Sequence, residues 1–424
     1  MRSAIHNPQS TIRVRPRVLA ALPGVFPSTV INVAKPLLRL HEAGAIDLEL
    51  SFHMFVRRRQ IERADVLVMS HTINPSSAWI LECARAAGTP LLYDIDENLL
   101  EPPADEPGLD FHRAPARQAA VRQALAQAAV VRTYAPALAR YLEPFNAHVV
   151  RADGPIDWRQ VPAAPKPRRR EGGPPAPAAR DVDRVHIVYA TSRLNDPIGA
   201  VLVRPLLRVL EEHPQVDVTI WGPRFPELEA HPRVRVRDFV RDYDRYFAQF
   251  AGAGFDIGLA PMPDDLFYQC KTATKFREYA ACGIAGVYAD TEMYRDCVTD
   301  GETGLLVPRG DDGWVAAIGR LVSDTVLRGG IQERARAYAR ERYSAARIEG
   351  EWLAQIEAAK SSPQSTIRNP APNPDPQSLI HDSNPQSAIR NPQFATLLVS
   401  RARVQIANLR QLLSWELALH RRRP

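Results

Sequence analysis

Lys271-Thr272-Ala273-Thr274-Lys275 places two ammonium groups and two hydroxyls within five residues, just ahead of Phe276-Arg277-Glu278-Tyr279-Ala280-Ala281. The pattern predicts a helix opening at Lys271. A helix start offers unpaired N–H groups and about half a positive charge. With the lysines and threonines added, such a site suits a diphosphate. Glu278, about two turns into this expected helix, can accept hydrogen bonds from sugar hydroxyls, because a carboxylate is an acceptor-only group. On pattern alone, a surface helix with solvated lysines is the alternative. A P-loop is excluded, since no G-x-x-x-x-G-K-[ST] run occurs in the chain.

Ile257-Gly258-Leu259-Ala260 reads as a buried strand stopped by Pro261 and Pro263, with Asp264, Asp265, Phe267 and Tyr268 in the following loop. Gly283 ends the helix, as glycine takes the left-handed cap at little cost. Residues 284–288 form the next strand, so the unit is β-α-β with parallel strands. Upstream, strands are expected at 18–22, 46–52, 64–70, 91–94 and 148–150, with helices at 30–43, 76–87, 115–129 and 135–142. Downstream, strands are expected at 185–189, 216–221 and 234–239. Helices are expected there at 198–213, 243–251, 314–321, 326–341 and 345–359. This alternation specifies an α/β protein with doubly wound parallel sheets. Ligands in such sheets gather at the carboxyl ends of the strands, which puts His71 and the run Asp94-Ile95-Asp96-Glu97 at the rim. The carboxylates could face an acceptor, cap or hinge the backbone, or hold a divalent ion; His71 could serve there or simply be a satisfied rim histidine.

Three runs carry a resemblance: D-I-G-L-A-P (256–261), K-T-x-T-K-F-x-E-Y-A-A-x-G (271–283) and Y-x-x-x-V-x-D-G-x-x-G-L-L-V (294–307). Together they resemble the C-terminal domain of GT-B glycosyltransferases of the group 1 type, over roughly residues 17–360 and most specifically over 256–308. The resemblance implies two Rossmann-like domains facing a cleft and a nucleotide-diphosphate sugar as co-substrate. It also implies transfer, mostly with retention, to an acceptor hydroxyl on a glycan or lipid-linked oligosaccharide, as in bacterial cell-envelope polysaccharide synthesis. No metal is expected, because such enzymes assist the leaving diphosphate with basic side chains and helix dipoles. Carried onto this sequence, the donor-binding set is Arg193, Gly222, Lys271, Thr272, Lys275 and Glu278. The acceptor side is His71, Asp94, Asp96 and Glu97, the run 94–97 being similar to a D-I-D-D-N-L stretch of relatives. Asp96, Arg193 and Lys271 are the catalytic candidates, Asp96 to contact or activate the acceptor hydroxyl. The family's Glu-x7-Glu motif would place its second Glu at Glu278 and its first at Cys270, so that first role is vacant or has moved to Asp265 or Lys271. Two rival readings are a nucleotide-sugar epimerase on the same fold and a non-catalytic glycan- or nucleotide-binding homologue.

The 424 residues allow two or three domains. A net charge of +6 hints at anionic partners but is too small for this length to argue for nucleic acid. Cys83, Cys270, Cys282 and Cys297 lack metal-site spacing and read as reduced thiols. No run has the length of a membrane span or the apolar region of a signal peptide, so the expected location is cytoplasmic, with at most peripheral membrane contact. The expected organisation begins with a polar tail at 1–16, an acceptor domain at 17–161 and a Pro/Gly/Arg linker at 162–182. A donor domain at 183–345 and a closing helix at 346–360 follow, then N-P-Q-S repeats at 361–394 too poor in apolar residues to fold. Residues 395–424 form a basic amphipathic helix with an apolar face through Leu398, Ala402, Ile406, Leu409, Leu413 and Leu417. It could lie on an anionic membrane, dock on a partner, or be readthrough beyond the last domain.

Overall fold

The structure is a computed structural model that describes residues 15–71, 73–104, 109–162, 184–194 and 196–362. The expected polar tail up to residue 14, nearly all of the linker, the repeats and the basic 395–424 segment lie outside the described residues.

The first sheet comprises β1 (Arg17–Leu22), β2 (Asp47–Phe52), β3 (Val66–Ser70), β4 (Leu91–Asp94), β5 (Ala128–Thr133) and β6 (Val149–Arg151). All pairs are parallel, in the order β2-β1-β3-β4-β5-β6. The second comprises β7 (Val185–Ala190), β8 (Val216–Trp221), β9 (Val234–Arg237), β10 (Ile257–Ala260), β11 (Ala285–Ala289) and β12 (Leu305–Val307). It too is parallel, in the order β12-β11-β10-β7-β8-β9. Both sheets reverse direction beside their first strand, between β1 and β3 and between β7 and β10, and a ligand crevice opens at such a switch point.

Apolar side chains cover both faces of each sheet, as a parallel sheet requires. The chain leaves the first domain through residues 152–162 and returns by the helix Ala345–Ser361. Ile348, Trp352, Ile356 and Ala359 of that helix are buried with Val18, Ala20 and Val68 of the first sheet. The expectation that the last helix packs back across the first domain therefore holds.

Besides elements that were not expected, such as β12 and the helix Arg58–Arg63, three expected ones differ from the sequence reading. The helix expected to reach residue 129 is Pro115–Gln127, and β5 begins at once with Ala128. Alanines 128 and 129 suit either state, so the change is decided by Val130 and Val131, which prefer an extended, doubly buried position. The helix expected over 198–213 is split into Pro197–Ala200 and Val203–Glu212. Pro205 lacks the N–H that would continue the first piece but is tolerated in the first turn of the second. The third difference concerns the helix expected to open at Lys271, which begins at Thr274.

Candidate active site

Between β10 and that helix lies one extra turn, Leu266–Gln269, capped by Asp265, whose carboxylate accepts from the Tyr268 N–H at 3.3 Å. The N–H of Lys271 is used to close this turn on the Tyr268 carbonyl, at 3.1 Å. Ala273 is not helical (ψ 52°), so Lys271 and Thr272 lie in the connection and Glu278 falls about one turn into the helix Thr274–Cys282. Gly283 ends the helix with φ 68°, as expected.

Glu278 is nearly fully buried. It accepts from Lys275 Nζ at 2.7 Å, from the Tyr243 hydroxyl at 3.1 Å and from the Tyr246 hydroxyl at 3.4 Å. Burial and then the Glu278 charge push both phenols well above their ordinary range, so they stay donors. These two tyrosines were missed in the sequence. Their one signal is the i, i+3 spacing at the head of the helix Tyr243–Gly252, which puts them on one face.

Lys271 points the other way, across the gap between domains. Its ammonium pairs with Oε2 of Glu97 and lies 4.4 Å from the Phe267 ring centroid. The second Glu97 oxygen is 3.1 Å from Nε2 of His71. His71 follows β3 with φ 58°, a left-handed conformation costly for a residue with a Cβ. It is held by its N–H to the Asp94 carbonyl at 2.8 Å and by the Tyr93 hydroxyl on its own carbonyl at 2.6 Å. Its ring stacks on Phe26 at 5.9 Å between centroids.

Asp94 sits at the end of β4, where its Oδ2 accepts from the Tyr134 hydroxyl at 2.5 Å and lies 3.5 Å from Nε of Arg132. Arg132 has no exposed surface; it also reaches Gln355 and stacks 4.5 Å over Trp352 of the returning helix. It was not anticipated, because an arginine inside an apolar run carries no local mark of its partners.

The four rim groups titrate differently. Burial pushes Asp94 up to about 7 against the pull of Arg132 and Tyr134. Burial also raises Asp96, with the His71 charge opposing and the Glu97 charge adding. At Glu97, burial is outweighed by the Lys271 charge and the His71 hydrogen bond, and its carboxyl is held well below the usual range. At His71, burial is outweighed by the Glu97 hydrogen bond and the Asp96 and Glu97 charges, and the imidazole is raised.

His71, Asp94, Asp96, Glu97 and Lys271 therefore share one cluster, while Lys275 and Glu278 form a second, both on the helix Thr274–Cys282. Arg193 lies after β7 with its guanidinium 5.7 Å over the Tyr268 ring. Gly222 ends β8 with φ 111°, and a Cβ there would lie 2.1 Å from the Thr191 carbonyl oxygen, so only glycine fits beside the Arg193 loop. Asp94 and Glu97 are turned to different partners, and among the described residues no group of three or more His, Cys, Asp or Glu is placed to hold a metal ion. Cys270 is fully buried among the apolar residues of the first domain, and burial pushes its thiol up to about 12. It is therefore a packing residue with no charge to offer near neutrality. A small open recess lies between the domains, lined by Tyr134, Asp153, Lys271, Thr272, Arg277 and Arg342 among others.

Residues 186–324, about a third of the chain, match the family model of the glycosyl transferases group 1. No curated protein matches the chain in sequence. Among solved structures, Anabaena HepE in complex with UDP and glucose is 15% identical (TM-score 0.58), the alignment covering 81% of this chain and 100% of that one. Sucrose-phosphate synthase from Thermosynechococcus elongatus is 14% identical (TM-score 0.61), over 82% and 100%. A putative UDP-N-acetylglucosamine 2-epimerase from Listeria monocytogenes is 11% identical (TM-score 0.52), over 81% and 96%. At these identities the likeness is one of fold, and the fold is GT-B.

Proposed function

From a second domain that belongs to the group 1 glycosyl transferases, we propose that the chain transfers a sugar from a nucleotide-diphosphate donor to an acceptor hydroxyl on a glycan or lipid-linked oligosaccharide. Cell-envelope polysaccharide synthesis is the setting that fits the resemblance. The observation carrying this reading is the contact of Lys271, ahead of the Thr274–Cys282 helix, with the carboxylate cluster of the facing domain. One cleft thus holds a cation for a leaving diphosphate and acids for an incoming hydroxyl.

In this reading Lys271, Lys275 and Arg193 neutralise the charge that develops on the diphosphate, the contribution that most lowers such a barrier. Thr272 adds a hydroxyl, and Gly222 lets the loop after β7 approach closely. Glu278 holds the ribose: a carboxylate has about four acceptor sites, and three of them take Lys275, Tyr243 and Tyr246. Asp96, buried and with its carboxyl raised above the usual carboxylate range by that burial, faces the acceptor and takes or orients its proton. Closure of the domains excludes water and limits donor hydrolysis. Among the described residues no helix is long and apolar enough to cross a membrane. We place the protein at the cytoplasmic side, with residues 395–424 as its peripheral contact.

The test is thermal-shift screening of the full chain against UDP-, GDP- and ADP-sugars. One of them should raise the melting temperature, and Lys271→Ala and Glu278→Ala should each remove that shift. A shift that survives both substitutions sinks the reading. The epimerase reading draws on the Listeria likeness in fold; an isomerised donor sugar in the absence of acceptor would favour it. The non-catalytic reading draws on the buried thiol at Cys270; nucleotide binding without turnover, unchanged by Cys270→Glu, would favour that.

A further inference from the structure

Glu97 makes contacts for which the donor role of Lys271 has no use. Its carboxylate is shared between the Lys271 ammonium of one domain and the His71 imidazole of its own. The lysine and glutamate side chains are only 19% and 16% exposed, so solvent screens them weakly. A diphosphate arriving at the same ammonium would put a second anion within a few ångströms of Glu97, and like charges in such a site cannot both stay. One of them must leave, and the carboxylate has somewhere to go. His71 is already 3.1 Å from it. The strained backbone, the Tyr93 hydroxyl and the Asp94 carbonyl hold His71 in place.

Building on the donor reading of Lys271, we propose that Glu97 is a positioning residue that stands in for the donor diphosphate at Lys271 and is handed to His71 when the donor binds. Until then the lysine is neutralised and held at the pyrophosphate position. On displacement, the Glu97 carboxylate concentrates on the imidazolium beside Asp96, so that donor binding sets the charge state facing the acceptor. Donor before acceptor is the order this imposes.

Glu97→Gln keeps the side-chain size and removes the competing charge. Binding of UDP, GDP and inorganic pyrophosphate to the full chain is measured by titration calorimetry. If Glu97 occupies Lys271 about nine-tenths of the time, removing its charge tightens apparent binding by about tenfold. Glu97→Asp, which retracts the charge by one methylene, tightens it by less and serves if the Gln variant does not fold. Unliganded Glu97→Gln should also melt below wild type. An ion pair with a purely structural role would give the opposite sign, weaker binding from a less ordered site. Unchanged or weaker binding by Glu97→Gln, with Lys271→Ala still abolishing it, overturns this proposal and leaves the donor reading intact. Binding indifferent to Lys271→Ala overturns both.

Discussion

Burial bears on every titratable group at the end of β4, and the neighbours decide how each responds. Asp94 has a buried arginine that offsets burial only in part, Glu97 has an ammonium and an imidazole that overcome it, and Asp96 has neither within bonding distance. The signs for stability follow. A raised histidine stabilises fully below its unfolded value near 6.5 and loses that contribution as pH rises through its folded value. A depressed glutamate stabilises above its unfolded value and loses the contribution as pH falls through its folded value. Asp94, raised to about 7, behaves like His71: its contribution is full in acid and lost as pH rises through about 7. His71→Asn should therefore melt below wild type by a margin that is largest below the unfolded value near 6.5 and shrinks as pH rises above it. Differential scanning fluorimetry across that range checks it; a margin that grows with pH would mean the imidazole is not held charged by Glu97.

Among the elements, the returning helix Ala345–Ser361 ties the end of the second domain to the first sheet. Trp352, with no exposed surface, fills the space between that helix and the first sheet and lies under the Arg132 guanidinium. Trp352→Ala should cost about 3–5 kcal/mol, as large-to-small changes at fully packed aromatics do. It should also loosen Arg132, and through it Asp94. Urea unfolding followed by first-domain fluorescence measures the loss; a change under about 1 kcal/mol would mean the helix does not bind the sheet as tightly as its burial implies.

At the scale of the molecule, the two crossings are tied by charge. Arg342, just before the returning helix, pairs with Asp153 of the outgoing segment at 2.9 Å and with Asp296 of the second domain at 3.1 Å. Asp157 of the outgoing segment takes Lys35 at 3.0 Å and Arg39 at 2.8 Å from the first domain. Arg342→Ala removes the cation that links the two carboxylates, leaving Asp296 with Arg151 and Asp153 with Arg347. An expected loss of about 1–3 kcal/mol should come with a larger radius of gyration in solution scattering. An unchanged radius would place the hold on the domains elsewhere, in the apolar face of the returning helix.

Much of the fold could be read from local pattern. Strands such as β3 and β10 are continuous apolar runs, and Gly44, Gly88 and Gly283 stop helices where left-handed backbone is needed. The repeated alternation of strand and helix was enough to specify two parallel sheets, because period and punctuation are properties of neighbouring residues. β5 escaped, since Ala128-Ala129 prolong an alanine-rich helix and the turn to strand is marked only by Val130 and Val131, extended in the slot between β4 and β6. Lys271, Lys275 and Glu278 could be picked out as chemically capable side chains, but not what they touch. That Lys271 meets Glu97, 174 positions away, that Glu278 is surrounded by tyrosines, and that Arg132 underlies Asp94 were decided only by tertiary structure. A charge's partner and its degree of burial come from chain segments brought together in space, and no local spacing encodes either one.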